Sequence, residues 1–547
     1  MPNDEWWQDT AEPDGGSPHV GRGVGGGTRG GTGWNPAGGV AASDDPPRRE
    51  IGIGADLPRI VAEAGEALAT LGRVYRRGGR LVDVVAGVDG PSIRTLTACA
   101  LRLRLAEAAD WYRMGADAEG KVKRIAVQPP TDVSAVVAEA GEWPVAELIG
   151  IAAGPLIRGD GSLATSDGYD PKTRWYSSAD PAEWTPTALG REEAAIALDE
   201  LRALTVDYPC ASDSDRSAMI AGILTAVGRT AITGPVPLHL LHATTAGSGK
   251  SLWVDVIARI ASGAPAARMP PSTGEEEERK RITSILMSGA PIVLIDNVAG
   301  TLGGASLDAL LTSRLWTDRV LGSSEMVRLP VTCTFFATGN NVTVRGDLAR
   351  RTIPARLEPS DERPETRAGL PDIERIATAD RPRLLRAALT VILSYLQAER
   401  VTCRTFGSYD DWSRIAREPL IWLGAADPLD SQDALRDVAD VTADTTLGLL
   451  SAVFAEHGRM AWTVRDLTMV AREHPIRLAL EEAGLVRGPA VDARAIGYWL
   501  RRTRGRRLGG LVLQPSGSQH GNVRSWVIRH VDTAGANVVA GSVEGGA

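Results

Sequence analysis

Residues 237–263 read PLHLLHATTAGSGKSLWVDVIARIASG. An apolar strand over 238–242 runs into a Gly-bearing loop, and an amphipathic helix follows from Leu252 to Ile260. A strand, a loop and a helix in that order are the setting in which G-x-x-x-x-G-K-[ST] acts. Loop amides at the helix N-terminus cradle phosphate oxygens, the Lys balances the β and γ charges, and the hydroxyl ligates Mg²⁺. Thr245, Ala246, Gly247, Ser248, Gly249, Lys250 and Ser251 fill this Walker A pattern, while Thr244 stands where its first Gly is expected. That departure weakens the match slightly but removes no anion-binding group. The reading is an ATP-binding loop with Ser251 on the metal. Lys121, Lys123, Lys172, Lys250 and Lys280 are the only lysines in an Arg-rich chain, so Lys250 stands out.

Downstream, Pro291-Ile292-Val293-Leu294-Ile295-Asp296-Asn297 is an apolar strand ending in an acid, the form of a Walker B element. Asp296 at a strand C-terminus lies where ligands of open parallel sheets collect, and is the second expected metal ligand. Many such ATPases place Glu next, to position the attacking water. Here Asn297 takes the place, and an amide orients water but accepts no proton at neutral pH, so either hydrolysis is slow or another acid serves. Glu275 to Glu278 offer candidates, although four acids followed by Arg279, Lys280 and Arg281 also read as a solvated first helical turn.

The third element is 331–359, VTCTFFATGNNVTVRGDLARRTIPARLEP. Its apolar strand ends in Gly339-Asn340-Asn341, and Arg350-Arg351 follow Asp347. Asn after a central strand can hold a water at the γ-phosphate, and Arg at a subunit edge can neutralise transition-state charge. Asn340, with Asn341 second, and Arg350 or Arg351 are therefore candidate catalytic residues beside Asp296 and Asn297.

Over 206–380 helical stretches alternate with apolar strands, as in a mostly parallel sheet with helices packed on it. Around this α/β core lie a Gly-rich tail over 1–50, expected to be disordered, and a small mixed α/β region over 51–145. In that region 56–83 begins with an apolar face at helical spacing and changes to a short strand-like run after Gly78-Gly79, with further helical stretches at 92–112 and 131–140. In 146–205, Arg158-Gly159-Asp160-Gly161-Ser162 and Gly168-Tyr169-Asp170 read as tight turns between strands, with a helical linker over 192–204. A helical region spans 381–456, and a second disordered tail covers 532–547. Between them, 457–531 reads as a winged-helix-like module. It places Arg501, Arg502, Arg504, Arg506 and Arg507 on or just after one helix, with a hairpin ending in Trp526 as the wing. That basic helix points to nucleic-acid contact.

Sixty basic against 68 acidic residues give a net charge of -8, which excludes bulk-charge DNA packaging and makes any nucleic-acid site local. Cys99, Cys210, Cys333 and Cys403 form no CxxC pair, arguing against a zinc ribbon or a disulfide scaffold. They read as core thiols of a reducing cytoplasm. No run of 18 apolar residues and no basic-then-apolar start are present, so a soluble, cytoplasmic protein without a membrane partner is expected.

The order Walker A, IDN, ATGNN, DLARR resembles the AAA+-related superfamily 3 helicase core, especially the primase-helicase-like ATPases of phages and integrated mobile elements. GPLIRGDGSLATSDGYDPKTRWY and FGSYDDWSRIAREPLIWLGAADP are similar to the flanks of that core. The resemblance implies a P-loop (AAA+-like) fold, ATP and Mg²⁺, Asn340 as sensor, and Arg350 or Arg351 as an arginine finger serving a neighbouring copy in a ring oligomer. It also implies action on single-stranded or forked DNA during replication of a phage or mobile element. Two other functions fit the same motifs: a nucleotide-switched initiator or loader that binds DNA without processive unwinding, and an ATP-binding assembly factor with no DNA partner. Asp160 and Asp170 sit in turns with no primase-like metal triad nearby, so primase activity is not expected.

Overall fold

A computed structural model describes residues 48–530, apart from 88–89, 165–166, 179–183, 273, 321–324, 362, 471–475, 488–489, 506 and 521–522. The expected tails over 1–50 and 532–547 lie almost wholly outside the described residues. The first strand, Arg49–Ile53, starts two residues before the expected tail boundary.

The centre of the chain is a five-stranded, all-parallel sheet. In chain order its strands are β1 (Leu238–Ala243), β2 (Ala267–Met269), β3 (Ile292–Leu302), β4 (Thr334–Val344) and β5 (Thr352–Leu357). In space they run β2-β3-β4-β1-β5, so β4 is inserted between the strand that feeds the Gly loop and the strand that carries Asp296. The strands read as near-continuous apolar runs because both faces are covered. Leu241, Leu294, Phe336 and Ile353 pack under helices α1 (Asp213–Val227), α2 (Lys250–Ser262) and α4 (Arg381–Leu396). Leu240, Val293, Ile295, Phe335 and Ala337 pack with Ile282 and Leu286 of α3 (Glu275–Ser288) and with Leu310. Helix α1 is buried on nearly every side, which accounts for its all-round apolar sequence.

Beyond the expected strand ends, β3 and β4 continue together and bend in register. Asn297 and Asn341 both take left-handed φ, 58° and 48°, a conformation Asn tolerates better than branched residues. Pairing slips between Ile295 and Val298, so Asp296 and Asn297 together face Thr338, a β-bulge that re-aims the acid.

In the N-terminal region the helix expected over 92–112 is instead a strand, Gly90–Thr95, a helix, Ala98–Ala108, and a second strand, Ala109–Ala116. Thr97 caps the helix by accepting from Ala100 N, and the second strand pairs in parallel with Arg49–Ile53, a partner distant in sequence. The helix expected over 131–140 is present as Thr131–Glu139. Cys99 is exposed, so it is not a core thiol, whereas Cys333 is buried. The turn over 158–162 closes the antiparallel strands Leu156–Ile157 and Leu163–Ala164, whereas Gly168-Tyr169-Asp170, expected as a turn, is itself a strand paired with Trp175–Ser177 across a turn that contains no glycine. There Asp170 accepts from Arg158 at 2.7 Å and from Thr173, and this pairing holds its carboxyl down at about 2.

At the C-terminus, helices Val464–Val470, Ile476–Glu482 and Ala493–Thr503 pack with the hairpin Leu511–His520/Val523–His530. Trp526 does not end this hairpin. It lies mid-strand opposite Trp462 and is buried in the core, and the strand runs on to His530. No helix among the described residues is long and apolar enough to cross a membrane.

Candidate phosphate-binding site

The loop between β1 and α2 is built to present its amides. Gly247 and Gly249 take φ of 73° and 76°, the left-handed region that costs a glycine nothing. The Ser248 hydroxyl closes the loop on Thr245 O at 2.7 Å. Four unsatisfied N–H groups at the start of α2 then face a cavity of about 350 Å³ lined by Ala246–Leu252, Asp296, Asn297 and Thr338–Asn340.

Lys250 is 8% exposed. Its ammonium donates to Asn340 Oδ1 at 2.8 Å and to Thr245 O at 3.3 Å, both neutral oxygens, and burial lowers its pKa. A buried cation with no carboxylate partner among the described residues is a setting that favours an incoming anion. Asp296 is bonded on both oxygens. Oδ1 accepts from Ser251 Oγ at 2.6 Å and Thr338 Oγ1 at 2.7 Å, and Oδ2 accepts from Arg268 at 2.8 Å. Burial alone would raise this carboxyl; the two hydroxyls and the Arg268 charge bring it below its ordinary value. A hydroxyl and an ionised carboxylate form the hard oxygen set that suits Mg²⁺.

The strand order produces this arrangement. Because β4 lies between β1 and β3, Thr338 and Asn340, two apart on one face of β4, reach Asp296 and Lys250 respectively. Asn341 turns aside, its side-chain amide 3.5 Å from Thr244 O. Thr338 also accepts from Asn297 N at 3.2 Å, closing the bulge, while the Asn297 side chain is exposed at the cavity.

Three contributors escaped the sequence reading. Thr338 gave no signal beyond a Thr in an apolar strand. Arg268 on β2 bridges Asp296 to Asp255 of α2, at 2.6 Å from the latter, and nothing local marks that pair. Tyr208 sets its hydroxyl on Gly249 O at 3.2 Å. Among the Glu275–Glu278 acids, Glu276 and Glu277 pair with Lys280 and Arg281 one turn on, as a solvated turn does. Glu278 differs: burial raises its carboxyl, and it lies beside Gly304, past the far end of β3.

The arginines lie elsewhere. Leu238 pairs with Thr352 and Ala243 with Leu357, so Arg350 and Arg351 precede the start of β5, at the opposite end of the strands from the Gly loop. At about 3.3 Å per residue the separation is roughly 17 Å, beyond the reach of an arginine side chain. Arg351 is 15% exposed and bound to Asp308 at 2.7 Å, whereas Arg350 is 59% exposed and, among the described residues, paired with Asp347 at 3.0 Å.

No family model matches this chain, and no curated protein does. Solved structures similar to it include the apo NrS-1 C-terminal region (305-718), at 12% identity over 86% of this chain and 99% of that one, with a TM-score of 0.38. The SCCmec type IV Cch active helicase aligns at 9% identity over 84% of this chain and 98% of that one, TM-score 0.30. The JCV helicase aligns at 12% identity over 46% of this chain and 68% of that one, TM-score 0.19. Two of the three are described as helicases, and at TM-scores this low the likeness assigns no activity.

Proposed function

We propose that this chain is a P-loop ATPase of helicase type that works on DNA as a ring of copies. The observation that carries the reading is the convergence of Lys250, Ser251, Asp296, Thr338 and Asn340 on one cavity at the C-terminal edge of a parallel sheet. In this reading the amides of 247–251 and the Lys250 ammonium bind the phosphates of ATP. Ser251 and Asp296 hold Mg²⁺, with Thr338 and Arg268 fixing the carboxylate. Bound there, the metal would supply charge neutralisation for phosphoryl transfer. Asn340 exchanges its contact with Lys250 for the attacking water, and Arg350 of a second copy meets the transition-state charge. Exposed Arg501 and Arg504, at the end of the C-terminal helix, provide a local nucleic-acid contact despite the net negative charge. The side chains of Arg502, Arg506 and Arg507 lie outside the described residues.

One observation favours a second reading, a nucleotide-switched DNA initiator or loader. Asn297 occupies a left-handed bulge position in place of an acid, and an amide takes no proton from water. Turnover is then slow and the bound nucleotide acts as a switch. Steady-state ATP hydrolysis with and without single-stranded and forked DNA, blanked with Lys250→Ala, separates the two. DNA stimulation supports the motor, turnover indifferent to DNA removes it, and nucleotide binding without turnover supports the switch.

A further inference from the structure

The segment after β5 folds back over the Gly loop. Glu358 N donates to Pro209 O at 2.7 Å and Ala211 N to Arg356 O at 3.0 Å, zipping the end of β5 to the stretch that carries Tyr208. Arg367 adds a bond to Asp207 O at 3.2 Å. Between them, buried Pro364 opens a single 3₁₀ turn, Pro364–Thr366, held by Thr366 N on Arg363 O at 3.0 Å. This turn aims Glu365 at the loop. Its Cβ and carboxyl carbon stand 3.0 and 3.1 Å from where a Cβ on Gly247 would be, and Oε2 is closer still. Glu365 is exposed and has no hydrogen-bond or ion-pair partner among the described residues, although Arg363 and Arg367 flank it.

An unpaired carboxylate therefore rests on the central glycine of a loop whose amides and lysine are arranged for phosphate. Like unit charges about 5 Å apart weaken binding by about fourfold in fully water-like surroundings and by about a few hundredfold at the lower effective dielectric near a protein surface. We infer that Glu365 is a charge gate on the nucleotide site: a nucleoside di- or triphosphate can seat only when the Pro364–Thr366 turn carries this carboxylate off Gly247, and the returning carboxylate speeds nucleotide release. The inference rests on the phosphate-binding reading of residues 244–251. It assigns the turn the task of keeping exchange fast, with the Glu358–Pro209 and Arg367–Asp207 bonds as the fixed points about which it moves.

The test uses the full chain and fluorescent ATP and ADP analogues, measuring equilibrium binding and stopped-flow release for the native protein, Glu365→Gln and Lys250→Ala. Glu365→Gln keeps shape and removes charge. It is expected to tighten binding at least about fivefold and to slow release, with the gain shrinking as salt rises from about 0.05 to about 0.5 M. Binding by the native chain that Lys250→Ala destroys and Glu365→Gln leaves unchanged or weakens overturns the gate and keeps the phosphate site. Tightening that salt does not alter also overturns it, because a packing change and not charge would then be at work. Failure of both the native chain and Glu365→Gln to bind overturns the phosphate reading and the gate with it, whereas binding by Glu365→Gln alone supports both.

Discussion

The two ends of one sheet are built in opposite ways. Where β1 ends and β3 bulges against β4, Lys250 is bonded to Asn340, Ser251 and Thr338 are bonded to Asp296, and the lysine is almost fully buried. At the start of β5, Arg350 projects 59% exposed from a short turn with one acid three residues away. The first end is preorganised within a single chain, so its groups lose little freedom when a ligand arrives. The second stores a cation at the surface, where an exposed pair adds little stability, and gains a purpose only when something anionic is brought to it. In the ring proposed above, the unfinished cation of one copy would be brought to the anion site of the next.

The largest effect is expected where the finished end loses its charge. Lys250→Ala should lower ATP hydrolysis by at least about 10³-fold and abolish binding of a fluorescent analogue, in line with the importance of preorganised charge in phosphoryl transfer. Unchanged hydrolysis would remove the phosphate site from the comparison altogether. Next comes the unfinished end. Arg350→Ala should keep nucleotide binding and lose turnover by about 10³-fold, and mixing it with Lys250→Ala subunits should restore part of the activity. Arg351→Ala should instead lower stability by about 1–3 kcal/mol in denaturant unfolding, because it cuts a part-buried bond to Asp308. A reversal of these two phenotypes would move the finger by one residue.

How far the sequence could be read follows from where each interaction partner lies. The Gly loop is legible because strand, glycines, lysine and helix are contiguous and their chemistry is local. Asp296 is legible as the end of an apolar run. Thr338 and Arg268 are not, since their importance depends on β4 entering between β1 and β3 and on β2 lying beside β3, and no local pattern encodes strand order. Asn340 and Asn341 are equivalent in sequence; the left-handed φ of Asn341 separates them. Arg350 and Arg351 are likewise equivalent until Asp308 claims one. The misread helix over 92–112 has the same origin: Leu101, Leu105 and Trp111 are all buried, but Trp111 belongs to a strand whose partner is 60 residues earlier at Ile51.

A smaller effect should come from the support behind the finished end. Thr338→Val keeps volume but removes the hydroxyl that donates to Asp296 and accepts from Asn297 N. Turnover should fall about tenfold, with a higher Mg²⁺ requirement, because the carboxylate loses one of its two hydroxyl anchors while the ligands themselves remain. Loss of turnover with an unchanged Mg²⁺ requirement would place Thr338 in the bulge geometry and not in the metal site.

The smallest effect sharpens the boundary of the finished end. Asn341 is adjacent to Asn340, yet its amide makes only a long contact with Thr244 O, and its backbone occupies a conformation that costs most residues roughly 1–2 kcal/mol. If its role is to let β4 bend, Asn341→Gly should leave both stability and turnover within about twofold of native, because glycine adopts that conformation freely. Asn341→Ala should then cost about 1 kcal/mol in urea unfolding and still turn over nearly normally. Asn340→Ala, one residue earlier, should do the reverse, sparing stability and lowering turnover by about 10²-fold, since it removes the group that faces Lys250. If Asn341→Gly instead abolished turnover, the amide at Thr244 would be chemical, and the finished end would extend one residue further along β4.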